Sequence, residues 1–428
     1  MQYQFISLLD YLLLPVVLAI VYALAFRIRD KKYPKKHPWH KYYIPALTVK
    51  IFGAIFIGLI YAYYYKGGDT FNYFYHSRII NSAFNESSVK WVNLLLHIPD
   101  ATDGAYYEYI RQMEWYSDPA SYTVASMGAF VSFFTLNTYL PAAVIFAFIS
   151  FTGVWALFRT FALNFPQYTR AIAVATLFIP STFIWGSAIF KDTVCLFGLG
   201  WLTYSTFRFL IQKDFTLKNI VVATLSFMLI AKVKLYILLG FIPALLVWIL
   251  FLYSKKIQNK GTRMLVKLFF IGVAVAAFMF FIQLFGKELG KYSLDKIAET
   301  AEVNRGWISY MSTVDDGSSY DLGDFDPSIG GMLVKFPAAV NATLFRPYLW
   351  ESRKIIVFLS SLEALLFLFL TLKILFTIGL AKTWKTISGD PTIQFCLLFS
   401  IIFAFAVGIS TYNFGALSRY KIPCLPFY

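Results

Sequence analysis

The chain reads as an all-α polytopic membrane protein with about ten or eleven transmembrane helices and further helices lying beside the membrane. Three observations predict this. Of 428 residues, 58% are hydrophobic and only 14% charged, where a soluble domain carries about one quarter charged residues. Mean hydropathy is +0.62, and many apolar runs approach the ~20 residues that cross a bilayer. The Lys and Arg residues gather in short segments between those runs. The whole of 1–428 is expected to be a single membrane domain.

In chain order, the first run, near 6–26, lacks a basic leader and a small-residue cleavage site. It reads as a span rather than a removable signal. Further spans are expected near 43–65, 139–158, 171–190, 192–210, 219–231, 235–253, 265–285, 354–379 and 392–410. The 219–231 run is short enough to be a half-span. "RIRDKKYPKKHPWHKYY" after the first span has seven Lys or Arg against one acid. "FRTFALNFPQYTR", "RFLIQKDFTLK", "KKIQNKGTRMLVK" and "AKTWK" are basic as well. Basic loops stay cytoplasmic, so these five set the orientation and account for the net charge of +15 without a nucleic-acid partner. The remaining connections then face outward, provided that 121–138, rich in Ser, Thr and Asn, is re-entrant or interfacial.

Two outward loops, 67–120 and 286–353, are long enough to be structured. In the first, "SSVKWVNLLLHI" has the pattern of an amphipathic helix at the interface. In the second, "VDDGSSYDLGDFD" has the composition of a loop. The end, "RYKIPCLPFY", reads as the start of a further span. Cys195, Cys396 and Cys424 lie in or beside apolar runs and form no metal or disulfide pattern.

Ionisable groups at membrane edges are costly and need a partner or a purpose. On this topology Asp69, Lys191 with Asp192, Lys232 with Lys234, Arg346, and Arg419 with Tyr420 all meet the outer face. "YYYKGGDTFNYFYHSR" brings Asp69 out of a span behind two glycines. If helix resumes there, Asp69, Tyr73 and His76 share one face at i, i+4 and i+7. Such a carboxylate could act as a general base; equally, Asp69 could be a helix cap. Lys191 and Asp192 form a charged tip between two apolar runs, or an ordinary polar turn. Lys232 and Lys234 lie on the side that basic residues avoid, which points to an anionic partner such as phosphate, or to snorkelling towards lipid head groups. Glu363 is an acid inside a span. No metal-binding signature appears, although Asp69 with Glu108, Glu114 or Asp118 could hold a divalent cation through oxygens.

The arrangement resembles the GT-C superfamily of integral-membrane glycosyltransferases. "YKGGDTFNY" looks like their essential acid in the first large outer loop. "YLPAAVIFAFISFTGVWALFRTF" and "FIPSTFIWGSAIFKDTV" look like the spans that follow, and "SRYKIP" like a late R-Y-x-x-P element shared with bacterial polysaccharide polymerases. The resemblance covers roughly 60–210 and the end of the chain. It lacks the paired-acid motif of the mannosyltransferases and the WWD-type element of the oligosaccharyltransferases. An extra span also precedes the acid. It implies a GT-C-like fold in a bacterial inner membrane and a sugar donor on polyprenyl phosphate or pyrophosphate. It also implies Asp69 as the base, Asp192 as a second acid, and Lys232, Lys234, Arg346 or Arg419 holding the departing phosphate. A polymerase joining lipid-linked repeats uses similar parts. A transporter or flippase, and a non-catalytic scaffold, are the readings from other classes.

Overall fold

In this computed structural model, residues 5–254 and 329–428 are described without interruption, together with short stretches between them. The described residues are helical almost throughout, with no strand. Among the described residues, six helices are long and apolar enough to cross a membrane: Leu8–Lys32, His40–Tyr64, Tyr139–Asn164, Leu217–Ser254, Ile355–Ile378 and Pro391–Ser410. The chain divides into two units, Met1–Lys234 and Leu235–Tyr428.

The first unit holds α1 (Leu8–Lys32), α2 (His40–Leu59), α3 (Asp69–Ser82), α4 (Ser88–Leu95), α5 (Tyr107–Ile110), α6 (Pro119–Phe133), α7 (Tyr139–Asn164), α8 (Thr169–Leu177), α9 (Pro180–Trp185), α10 (Lys191–Leu210) and the first part of α11 (Leu217–Ser254). Its centre is α7, 78% buried over its apolar window. Glycines let backbones meet there. A Cβ on Gly200 of α10 would lie 1.9 Å from the Gly153 carbonyl oxygen of α7, the close approach that small residues permit between membrane helices. At one end, Asp10 caps two helices: it pairs with Ser7 at the start of α1, and its Oδ1 accepts the Leu140 N–H at 2.8 Å. Those are orphan helix-end donors that need an acceptor.

Several expected spans take another form. The stretch 171–190 is not one helix, because Pro180 cannot donate to the ladder and Gly186 ends α9. The Gly186 carbonyl left over is taken by Ser150 Oγ at 3.0 Å and by Lys50 Nζ. Such donors are needed wherever helix breaks among apolar neighbours. The stretch 192–210 is a helix, but Lys191, Asp192, Arg208 and five hydroxyl-bearing residues keep α10 out of the six most apolar. The expected pair 219–231 and 235–253 is the single long α11, broken where Lys234 leaves helical geometry at φ −146° and ψ 74°. Most residues of the expected span 265–285 and about half of the 286–353 loop lie outside the described residues. The 121–138 stretch forms α6, whose 15 residues rise about 22 Å, short of the ~30 Å hydrocarbon core.

The second unit contains the remainder of α11, then α12 (Ile329–Val334), α13 (Phe336–Phe345), α14 (Ile355–Ile378), α15 (Leu380–Gly389), α16 (Pro391–Ser410) and α17 (Phe414–Tyr420). Phe395, Phe399 and Phe403 of α16 are fully buried, and Phe395 stacks on Trp248 at 4.6 Å. Gly408 lets α16 close on α13: a Cβ there would lie 2.1 Å from the Ala339 carbonyl oxygen. Residues 421–427 are buried turns rather than the start of a span, because Pro423 and Pro426 interrupt any helix.

Candidate functional site: ion pairs and aromatic rings around the start of α10

The site begins with the turn into α3. Lys66, Gly67 and Gly68 all have positive φ, 55°, 139° and 125°, a path that glycine follows without steric cost. Gly68 takes the N-cap position and Asp69 is the first helical residue. Asp69 therefore lies in the first turn, where the helix dipole favours a carboxylate, but it is not the cap. Tyr73 and His76 follow on the same face, both 3% exposed. Their rings meet Trp115, at 4.9 Å from Tyr73 and 5.4 Å from His76. Burial lowers the His76 pKa to about 4, so its ring is neutral near pH 7. Nδ1 of His76 is buried with no hydrogen-bond partner among the described residues.

α3 is held by polar bonds to α6. Ser77 Oγ donates to the Ala125 carbonyl at 2.7 Å, and Asn81 Nδ2 to the Ala129 carbonyl at 2.9 Å. The amphipathic helix α4 then joins: Trp91 Nε1 donates to Asn81 Oδ1 at 2.9 Å. Tyr122 and Ser126 of α6 donate to the Leu94 and Leu95 carbonyls, which satisfies the end of α4. His97, just beyond it, stacks on Tyr122 at 3.9 Å and meets Tyr116 at 4.8 Å. Burial, then the nearby Lys232 ammonium, lower the His97 pKa.

Two ion pairs meet at adjacent residues. Lys191 Nζ lies 3.1 Å from Asp118 Oδ2, and that pair is partly exposed. Asp192 and Lys234 form a second pair that is almost completely buried. Asp118 also caps α6, and its N–H bonds the Trp115 carbonyl at 3.2 Å. Burial alone would raise the Asp118 pKa. The Ser121 hydrogen bond, the Lys191 charge and bond, and the Ala120 N–H outweigh that and leave it lowered. The α10 N-terminus, the loop before α6 and the buried face of α3 are thus linked through Trp115 and Asp118, and the α11 break joins α10 through Lys234 and Asp192.

Of the residues singled out in the sequence, Tyr73, His76, Lys191, Asp192, Lys232 and Lys234 belong to this linked region, with Asp69 at the head of α3. Lys234 is committed to Asp192. Arg346, Arg419 and Tyr420 belong to the second unit. There Arg346 Nε lies 3.1 Å from both carboxylate oxygens of Glu351, and the guanidinium sits over the Tyr320 and Phe414 rings at 5.3 Å. Lys421 Nζ donates to the Arg346 carbonyl at 3.4 Å. Among the described residues no group of three or more His, Cys, Asp or Glu is placed to hold a metal ion.

His97, Asp118 as a partner of Lys191, and Lys50 were not singled out for these roles in the sequence. Lys50 carried a signal, a lone base inside an apolar run. His97 carried none, since its significance comes from rings distant in the chain. Comparison with known proteins finds no matching family model, no similar curated protein and no similar solved structure.

Proposed function

We propose that this protein transfers a sugar from a polyprenyl-phosphate or pyrophosphate carrier to a polysaccharide or lipid of the cell envelope, at the outer face of a bacterial inner membrane. The observation that carries the reading is the linkage of the α3 face to paired cations at the start of α10. In this role Asp69 deprotonates the acceptor hydroxyl as it attacks the anomeric carbon. The bond to the phosphate oxygen breaks, and negative charge collects on the departing phosphate. Preorganised cations facing that charge stabilise the transition state. Lys191 and Lys232 are the cations of the first unit suited to this. Lys234 holds Asp192 in place, so Asp192 orients the cation cluster rather than acting as a free second acid. The partly exposed Trp115 ring, backed by the buried Tyr73 and the neutral His76, offers a face to a sugar.

Joining of lipid-linked repeats, as in a polymerase, uses the same groups and differs in product. A transporter without catalysis draws support from one observation, the buried Lys50 against the broken segment around Gly186, since transport sites favour discontinuous helices.

The deciding experiment is Asp69→Asn in membranes supplied with polyprenyl-linked donor. Transfer should fall by at least a hundredfold, with expression and insertion unchanged. Retained transfer removes the general-base role. Movement of labelled lipid across the bilayer by the same variant, with no sugar transfer by the parent protein, selects the transporter.

A further inference from the structure

A cavity of about 440 Å³ lies between α4, α6, α7 and α10. Its wall is apolar, formed by residues such as Trp91, Leu95, Met127, Phe146 and Phe197, with only Ser126, Ser150 and Thr193 adding hydroxyls. All three hydroxyls are already spent on backbone: Ser126 donates to the Leu95 carbonyl, Ser150 to the Gly186 carbonyl and Thr193 to the Ala188 carbonyl. Little is left to bind a polar ligand, so a sugar does not belong here. The rim is apolar and open, with Leu96 65% and Phe130 54% exposed. Val89, Ile98 and Phe134 nearby in the chain are exposed as well. Exposed apolar side chains on and around a short interfacial helix meet lipid rather than water.

The α10 side of the cavity has a different character. Thr193 and Val194 line it and directly follow Lys191 and Asp192 in the first turn of α10. One helical turn rises about 5.4 Å, so the apolar wall ends within reach of the Lys191–Asp118 pair. That pair is partly exposed, whereas Asp192–Lys234 beside it is not. An amphiphile with its chain in the cavity brings its head to a cation whose present partner can be exchanged.

We infer that this cavity takes the apolar chain of a polyprenyl phosphate and that Lys191 receives the phosphate, displacing Asp118. The inference rests on the donor reading above for the head group and on the cavity for the chain. The volume is that of a site for one drug-sized ligand. It accepts a stretch of one apolar chain, the remainder passing over the open rim, so a two-chain phospholipid would leave its second chain outside. Charge complementarity favours an anion at Lys191, and the rim gives lateral access from the bilayer.

The test uses the full chain in lipid nanodiscs and a diazirine-bearing polyprenyl phosphate. Mass spectrometry should place the adducts on Met127, Phe130 or Phe197. Excess unlabelled polyprenyl phosphate should reduce them at least tenfold, and excess phosphatidylglycerol should not. Met127→Trp, which fills the cavity, should reduce labelling tenfold, and Lys191→Gln should weaken competition by the phosphate more than by the matching polyprenol. Adducts confined to other surfaces, or equal competition by phosphatidylglycerol, overturn the inference. If Met127→Trp does not fold, the adduct map of the parent protein decides alone. Labelling needs no turnover, so adducts in the cavity of a protein that transfers no sugar would keep the chain site and remove the transferase reading.

Discussion

At the scale of single residues, the buried Asp192–Lys234 pair is costly to interrupt and informative to replace. Two charges withdrawn from water are tolerated because each neutralises the other. Losing one partner leaves an uncompensated charge, at a cost of ~3–5 kcal/mol. Asp192→Asn should therefore destabilise the protein strongly in thermal unfolding in detergent, while Asp192→Leu with Lys234→Met should recover most of the loss. Equal damage from the single and double variants would mean that packing, not pairing, holds this corner. His76 makes a second prediction. Its pKa is lowered from 6.5 to about 4 by burial, so between those values the unfolded chain binds the proton more readily. Stability then declines as pH falls from about 6.5 towards 4, and His76→Gln should remove that part of the slope. An unchanged slope would show that His76 titrates normally. The sequence displayed both residues as ionisable groups near membrane edges. It could not display which cation met which acid, because Lys234 and Asp192 are 42 residues apart and Lys232 offered an equally plausible partner.

At the scale of elements, the turn from α2 into α3 decides where Asp69 stands. Gly68 combines φ 125° with a Cβ position only 2.6 Å from the Tyr61 ring. Backbone of this kind costs a side-chain-bearing residue of order 1–3 kcal/mol. Gly68→Ala should lower the thermal midpoint and shift the start of α3, whereas Gly104→Ala, with nothing within 4 Å of the added carbon, should be neutral or slightly stabilising. Similar midpoints for the two variants would mean that α3 starts elsewhere without penalty. The glycines made this turn legible in the sequence, as the apolar runs did α1, α2, α7, α14 and α16, and as the amphipathic pattern did α4. Less legible were the breaks. Pro180 and Gly186 were visible inside 171–190, but the interruption is stable because Lys50 and Ser150, from α2 and α7, bond the freed Gly186 carbonyl. The break of α11 at Lys234 had only the two lysines as a local sign, since it is fixed by the pairing with Asp192.

At the scale of the whole molecule, every assignment in the proposed mechanism depends on which side of the membrane the α3–α10 site faces. The six membrane-length helices establish a membrane protein, but helices alone carry no direction. Direction comes from charge: basic segments are retained on the cytoplasmic side, and the segment joining α1 to α2 holds seven Lys or Arg against one acid. That segment and the 67–120 region are separated by α2, so they must face opposite sides if α2 crosses once. Cysteine labelling tests this directly. Cys195 and Cys424 are buried, and Cys396 partly so, which keeps the background low once all three are replaced by serine. Lys35 and Ser88 are exposed and accept a cysteine at little cost. In intact cells a membrane-impermeant maleimide should label Ser88→Cys and spare Lys35→Cys, with Lys35→Cys labelled only after permeabilisation. The reverse pattern would put Asp69 on the side where polyprenyl-linked sugars are made rather than used. Labelling of both sites in intact cells would mean that α2 does not cross, and the charged groups around α10 would then need a role outside the membrane's outer surface.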